Sequence, residues 1–342
     1  MKICRSSKKF LVGICTCFIF IFIFLTSHNV PQNPWTTKAN VRQPTTTKAE
    51  VRQPSTTYAE THQVTAAKEE TQKHTSTKSP LITLFTSWKT FPERYGVYNN
   101  TLRNWPSLRP YANIVLFTND TIQDEYQQLG WTVLPLKRSI KGGAVLKYMF
   151  MEAMELYPNS KLFGFSNGDL LFTGSFIDTL QAITKSSSLV NKTYMVVGRR
   201  MDKTKITSEE ARSWPSITKA GKRGTLMPPT YGIDYFITTP NYHWRNVPEV
   251  QIGRYYYDNW IVYDARRNGC VVIDATKSLL AVHQDAPKAK GILYLDNNYS
   301  YINNTKSKLM KGVVPCSGYY TIQRGATTHL ETSKTLPRFC QI

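Results

Sequence analysis

Apolar residues fall into three regimes along this chain. From Phe10 to Leu25 they run without a charged residue, and Lys2, Arg5, Lys8 and Lys9 stand just before them. From Ser27 to Pro80 large apolar residues nearly vanish, and the segments TTKANVRQP, TTKAEVRQP and TTYAETHQV begin in turn at Thr36, Thr46 and Thr56. From Leu81 onward short apolar runs alternate with segments of helical periodicity.

The first regime predicts a membrane anchor. A spanning helix takes about 20 apolar residues with a lower limit near 17, which 10–26 reaches. Bulky Phe20–Leu25 leads into TSHNVPQ with no small-residue cleavage site, which favours an uncleaved anchor over a signal peptide. The basic flank keeps residues 1–9 as a cytoplasmic tail and sends the rest to the lumen, a type II topology. Residues 27–80 cannot bury enough surface to offset chain entropy and are expected to form a disordered Thr/Pro-rich stem suited to O-glycosylation. A solenoid would need longer repeats with apolar positions in each unit.

The third regime, 81–342, predicts a globular domain. Strands are expected at Leu81–Ser87, Ile114–Thr118, Thr132–Leu136 and Leu162–Ser166. Helices are expected at Tyr98–Leu108, Thr121–Gly130 and Ala144–Tyr157, the last with Val145, Leu146, Met149, Phe150, Ala153, Met154 and Tyr157 on one face. This alternation implies an α/β fold, a mostly parallel sheet with helices on both faces. Met201–Thr230, rich in Lys, Arg, Gly and Pro, reads as a loop.

Charge and cysteine use narrow the setting. The formal net charge is +20, with basic residues in excess both before and after Pro80. A lumenal address and the lack of a Lys/Arg block interleaved with aromatics exclude nucleic acid as a partner. The excess suits either a solvated basic surface or a field that attracts nucleotide diphosphates or acidic glycans. Cys4, Cys15 and Cys17 lie in the tail and anchor, so Cys270, Cys316 and Cys340 can form at most one lumenal disulfide, for which Cys316 with Cys340 is the pairing expected. Sequons at Asn99, Asn191, Asn298 and Asn303 suit the lumen. A fifth, at Asn119, conflicts with a nucleotide beside Asp120.

The chemistry begins in KLFGFSNGDLLFTGSF, Lys161–Phe176, where Asn167, Gly168 and Asp169 interrupt a buried-strand pattern. A carboxylate there needs a compensating cation or donors. In parallel α/β sheets ligands sit outside the carboxyl ends of strands, where this triplet falls. With Tyr257-Asp258-Asn259 heading a predicted helix and His283 in LLAVHQD, the chain resembles Golgi-type glycosyltransferases of the GT-A fold, the nucleotide-diphospho-sugar transferase superfamily. The resemblance covers about Pro80 to Gln284.

That resemblance implies a Rossmann-like sheet, a nucleotide-sugar donor, a glycan or glycoprotein acceptor, and Mn²⁺ or Mg²⁺ on the donor diphosphate. It implies Asp169, Asn167 and His283 as metal ligands, with Asn167 standing where the D-x-D pattern has a carboxylate. It also implies Asp258 as the base that takes the acceptor proton in an inverting reaction, against its reading as a helix N-cap. Thr86, Ser87 and Asp120, at the ends of the first two strands, and Gly168 are candidates for the nucleotide sugar. Lys147, with Lys141, Gly142 and Gly143, is a candidate phosphate cradle. Arg199 and Arg200 face the diphosphate or an acidic acceptor, or else solvent. The alternative function is a non-catalytic lectin-like or scaffold protein on the same fold; no H-E-x-x-H signature supports a hydrolase.

Overall fold

The computed structural model describes residues 79–285 and 309–342, Ile122 excepted. The segments expected as cytoplasmic tail (1–9), anchor (10–26) and stem (27–80, up to residue 78), with Asn298 and Asn303, lie outside the described residues. Among the described residues no helix is long and apolar enough to cross a membrane.

The first half of the domain lays down β1 (Ile82–Ser87), α1 (Tyr95–Asn104), β2 (Ala112–Phe117), α2 (Gln123–Gln128) and β3 (Thr132–Leu134). A short hairpin of β4 (Ser139–Ile140) and β5 (Gly143–Ala144) leads into α3 (Leu146–Leu156), followed by β6 (Leu162–Ser166), β7 (Leu170–Phe172) and α4 (Gly174–Thr184). The second half adds β8 (Tyr194–Val197), β9 (Met201–Lys203), α5 (Trp214–Gly221), β10 (Thr225–Leu226) and β11 (Tyr235–Thr238). Then come α6 (Tyr257–Arg267), β12 (Val271–Lys277), β13 (Ala281–Gln284), β14 (Tyr319–Arg324) and β15 (Thr327–Thr332).

Among the described residues nine strands form one sheet in the order β15-β14-β12-β8-β11-β6-β1-β2-β3. Parallel pairs join β3, β2, β1 and β6 on one side and β8, β12 and β14 on the other. Between the two blocks β11 runs antiparallel to both β6 and β8. The fold is therefore mixed α/β with a mostly parallel sheet. A second sheet has the order β10-β9-β13-β7, with β13 antiparallel to β7 and parallel to β9.

Alternation along the strands sends residues to two cores, since successive side chains point to opposite faces. Ile82, Leu84, Ile114 and Leu116 pack under α1 and α4, while Phe85, Val115, Phe117 and Phe165 pack under α3 and α6. Each buried aromatic or aliphatic side chain stabilises the fold by about 1.5–3 kcal/mol. Helices thus cover both faces.

The predicted strands and helices of the first half exist with ends shifted by up to a few residues, β2 and α1 starting earlier than expected; Tyr98–Leu108 is divided into the last part of α1 and a 3-10 turn at Trp105–Leu108, where Pro106 removes a backbone donor. Met201–Thr230 is no plain loop. It contains β9, α5 and β10, and α5 starts where Ser213 Oγ accepts the Ser216 N–H with Pro215 in the first turn. Its inner face, with Ile217, joins Leu171, Ala211 and Val282 in a small core. The C-terminal segment extends the main sheet through the β14–β15 hairpin, and a disulfide joins Cys316 to Cys340.

Candidate active site

Topology gathers the site. Because β6 and β8 run the same way with β11 reversed between them, the carboxyl ends of β6 and β8 and the amino end of β11 share one edge. Asn167 follows β6, Arg200 follows β8 and Asp234 precedes β11. Backbone bonds tie them: Asn167 N–H donates to Asp234 O at 2.8 Å and Arg200 N–H to Gly232 O at 3.0 Å. The second sheet adds the rest, since β13 pairs His283 with Leu170 on one side and with Asp202 on the other. Gln284 N–H donates to Asp169 O at 3.0 Å.

The turn Asn167–Leu170 is clamped by α1. Thr101 Oγ1 donates to Gly168 O at 2.8 Å, and Asn104 both donates to Phe172 O (2.9 Å) and accepts from Phe172 N–H (2.8 Å). Trp105 Nε1 donates to Leu170 O at 2.8 Å. These buried polar residues explain why α1 carries Asn100, Thr101 and Asn104 on its inner face. Gly168 passes directly over Trp88: a Cβ there would lie 2.4 Å from Trp88 Cε3 and 3.2 Å from Thr86 Oγ1. Only glycine fits.

Charges alternate around Asp169. Its Oδ2 accepts from Arg94 Nη2 at 2.9 Å and lies 3.4 Å from His283 Nε2, while Oδ1 is buried without a partner. His283 Nδ1 lies 3.2 Å from Asp202 Oδ1, and Arg200 bridges Asp202 (2.7 Å) and Asp234. Burial opposes ionisation of Asp169, but the hydrogen bond and charge of His283 with the charges of Arg94 and Arg200 outweigh it and hold its carboxyl at about 2. Burial likewise works against a charged His283, and Asp169 reverses the balance, raising it. For Asp234 burial wins over the Arg200 charge and the carboxyl is raised.

Asp258 stands in the first turn of α6. It is not the N-cap, which is Tyr256 in a left-handed conformation (φ 63°). Burial, with the nearby Asp234 charge, raises its carboxyl to about 7 against hydrogen bonds from the Asn259 and Asp258 N–H groups. That value suits a general base at neutral pH. Its neighbour Tyr257 is buried and donates its hydroxyl to Asn167 Oδ1 at 3.0 Å, tying the helix to the triplet.

The other candidates are placed as follows. Thr86 Oγ1 is buried without a partner beside Gly168, and Ser87 is half-buried at the end of β1. Asp120 Oδ2 accepts the Thr90 N–H at 2.6 Å and Asn119 Oδ1 the Leu136 N–H at 3.0 Å, so both clasp loops at the strand ends. Lys147 lies at the start of α3 with Nζ 5.4 Å from the Tyr148 ring centroid. Of the described sequons, Asn191 is exposed in a left-handed turn before β8, and Asn99 is half-buried in α1, where its Oδ1 accepts from Arg103 Nε. Two surface grooves, about 720 Å³ beside Met151 and His243 and about 580 Å³ beside Trp214 and Lys222, share no residue with this cluster.

Arg94, Asp202, Asp234 and Trp88 escape sequence reasoning. They come from a 3-10 turn, the middle of β9, the residue before β11 and a loop, and no motif spacing links them to Asp169. The donor set is also a poor match for Mg²⁺ or Mn²⁺, which take about six oxygens or an imidazole in open reach. Among the described residues no group of three or more His, Cys, Asp or Glu side chains could hold a metal ion. Asp169 Oδ2 and Asn167 Oδ1 are already engaged by Arg94 and Tyr257.

No family model matches the sequence, and no curated protein matches it. Among solved structures the chain is similar to a mycobacterial protein at 12% identity, over 75% of this chain and 85% of that one, with a TM-score of 0.36. It is similar to the inositol-1-phosphate CTP transferase from T. maritima at 14% identity, over 69% of this chain and 98% of that one, with a TM-score of 0.34. Likeness at this level carries no functional argument.

Proposed function

We propose that this chain is a glycosyltransferase that moves a sugar from a nucleotide-sugar donor to a hydroxyl of a glycan or glycoprotein acceptor. One observation carries the reading: a carboxylate with a proton affinity near neutrality, Asp258, heads a helix tied through Tyr257 to a charged cluster at the carboxyl ends of parallel strands. In this reading Thr86, Ser87 and Asp120 meet the nucleoside and the edge around Gly168 meets the diphosphate. Asp258 takes the acceptor proton as the acceptor oxygen bonds to the anomeric carbon. The bond from that carbon to the diphosphate oxygen breaks, and the nucleoside diphosphate leaves with the electron pair. The domain works in the Golgi lumen, held by the anchor at 10–26.

The test is transfer from a panel of labelled nucleotide sugars to glycan acceptors by the full-length chain in detergent. One donor is expected to be consumed, and Asp258→Asn is expected to lower turnover by about 10²–10⁴-fold, the usual contribution of a positioned base, while leaving donor affinity near wild type. Glycan affinity without turnover of any donor would instead identify a lectin.

A further inference from the structure

The helix that begins around Asp258 is buried along most of its length, whereas the residues just before it are exposed. Tyr255 is 62% exposed and Tyr256 45%, with their ring centroids 6.1 Å apart. Tyr231, 57% exposed, follows Thr230, whose carbonyl accepts from Asn259 Nδ2 at 3.4 Å, so it stands at the same end of α6. Two residues of extended chain reach at most about 7 Å, so the Tyr256 Cα lies no farther than that from the Cα of Asp258. That length is comparable to one sugar ring.

The fold does not call for an aromatic residue at 256. Its backbone is left-handed, φ 63°, where Cβ crowds the following carbonyl and glycine or asparagine is the usual occupant. The other described non-glycine residues with positive φ are Lys141, Asn191 and Lys205, so Tyr256 is the one ring among them. Its side chain caps no helix N–H. With nearly half of it in solvent, it buries little against the core. A bulky residue held in a strained conformation beside a candidate base, where packing does not require it, points to a role in binding. Tyrosine suits such a role with sugars. Its ring face attracts the apolar C–H face of a pyranose, its hydroxyl stays wet, and its few rotatable bonds keep the entropy cost low.

Resting on the transferase reading above, with Asp258 as its base, we propose that Tyr256, flanked by Tyr255 and Tyr231, is the platform on which the acceptor's sugar ring stacks while its hydroxyl meets Asp258. The acceptor is then the end of a glycan and not a serine or threonine of a protein, since a hydroxyl side chain has no ring to cover the platform. The stack is made alike in the bound complex and in the transition state, so it governs acceptor affinity and not the rate of the bound complex.

The experiment measures transfer by the full-length chain in detergent from a panel of nucleotide sugars, with neutral oligosaccharides and with Ser/Thr peptides as acceptors, for wild type, Tyr256→Phe and Tyr256→Gly. At saturating donor, Tyr256→Phe is expected to keep the oligosaccharide KM within about threefold, and Tyr256→Gly to raise it about tenfold or more while kcat changes by less than about threefold. The melting temperature of Tyr256→Gly is expected to match wild type or exceed it by about 1–2 °C, because glycine relieves the left-handed backbone. Transfer to oligosaccharides with an unchanged KM in Tyr256→Gly would overturn the proposal and leave the transferase reading standing, as would transfer to peptides alone. A Tyr256→Gly chain that melts more than about 5 °C below wild type would show that the ring serves the fold, and would also overturn it. No transfer from any donor to either acceptor class would remove the transferase reading itself, and this inference with it.

Discussion

Replacing Asp258 by Asn should make the protein more stable and less active at once. In the folded chain the carboxyl is raised from 3.8 to about 7. The native state therefore holds this proton more tightly than the unfolded chain does. Below pH 3.8 both forms are protonated and Asp258 costs nothing; as pH rises towards 7 the unfolded chain releases the proton first, and stability falls. Above pH 7 the penalty is complete. A gap of roughly 3 in pKa at about 1.4 kcal/mol each sets a ceiling of about 4 kcal/mol. Asp258 is partly exposed, and solvent screening reduces this to about 2 kcal/mol. Asparagine keeps an oxygen for the Asn259 N–H but carries no charge. Urea unfolding at pH 8 should place the variant's midpoint higher by about 1 M, taking a slope near 2 kcal/mol per molar. At pH 4 the two midpoints should nearly coincide. Wild-type turnover should rise with pH through about 7, since the base must be ionised, and the variant should lack that limb. A variant no more stable than wild type at pH 8, or pH profiles of stability that superimpose, would show Asp258 to be an ordinary solvated carboxylate and would remove it as the base.

Two other substitutions probe the scaffold of the site. Gly168→Ala drives a methyl to 2.4 Å from Trp88 Cε3, and Trp88 is held by Tyr98, Tyr126 and Trp131; a loss of about 1–3 kcal/mol and a changed near-UV spectrum are expected, and an unchanged spectrum would mean the close approach is wrong. Asn104→Ala strands the buried N–H and C=O of Phe172. It should cost about 2–4 kcal/mol and lower the melting temperature by roughly 6–10 °C by calorimetry, with no change in melting showing that water replaces the amide.

Much of this protein was legible in its sequence, and the legible parts share a physical cause. Leu162–Ser166, Ala144–Tyr157 and the segment headed by Tyr257 carry hydrophobic periodicity strong enough to name the element, because burial of one face is encoded locally. The burial problem posed by a carboxylate at Asp169 was visible for the same reason, as a polar break in an apolar run. What periodicity does not report is pairing. That β11 runs backwards between β6 and β8 depends on contacts between segments far apart in the chain, and it is this reversal that brings Asp234 to Arg200 and both to Asp169. The helix α5 reads as loop in the sequence because a short element in a basic, Gly- and Pro-containing stretch looks like one until a core forms beneath it. Residue types and periods set by neighbours in the chain determined the α/β class and the triplet Asn167-Gly168-Asp169. Which cation meets Asp169 was decided by tertiary structure, because a charge's partner is whichever side chain the fold carries within about 4 Å of it, and Arg94 is 75 positions away along the chain.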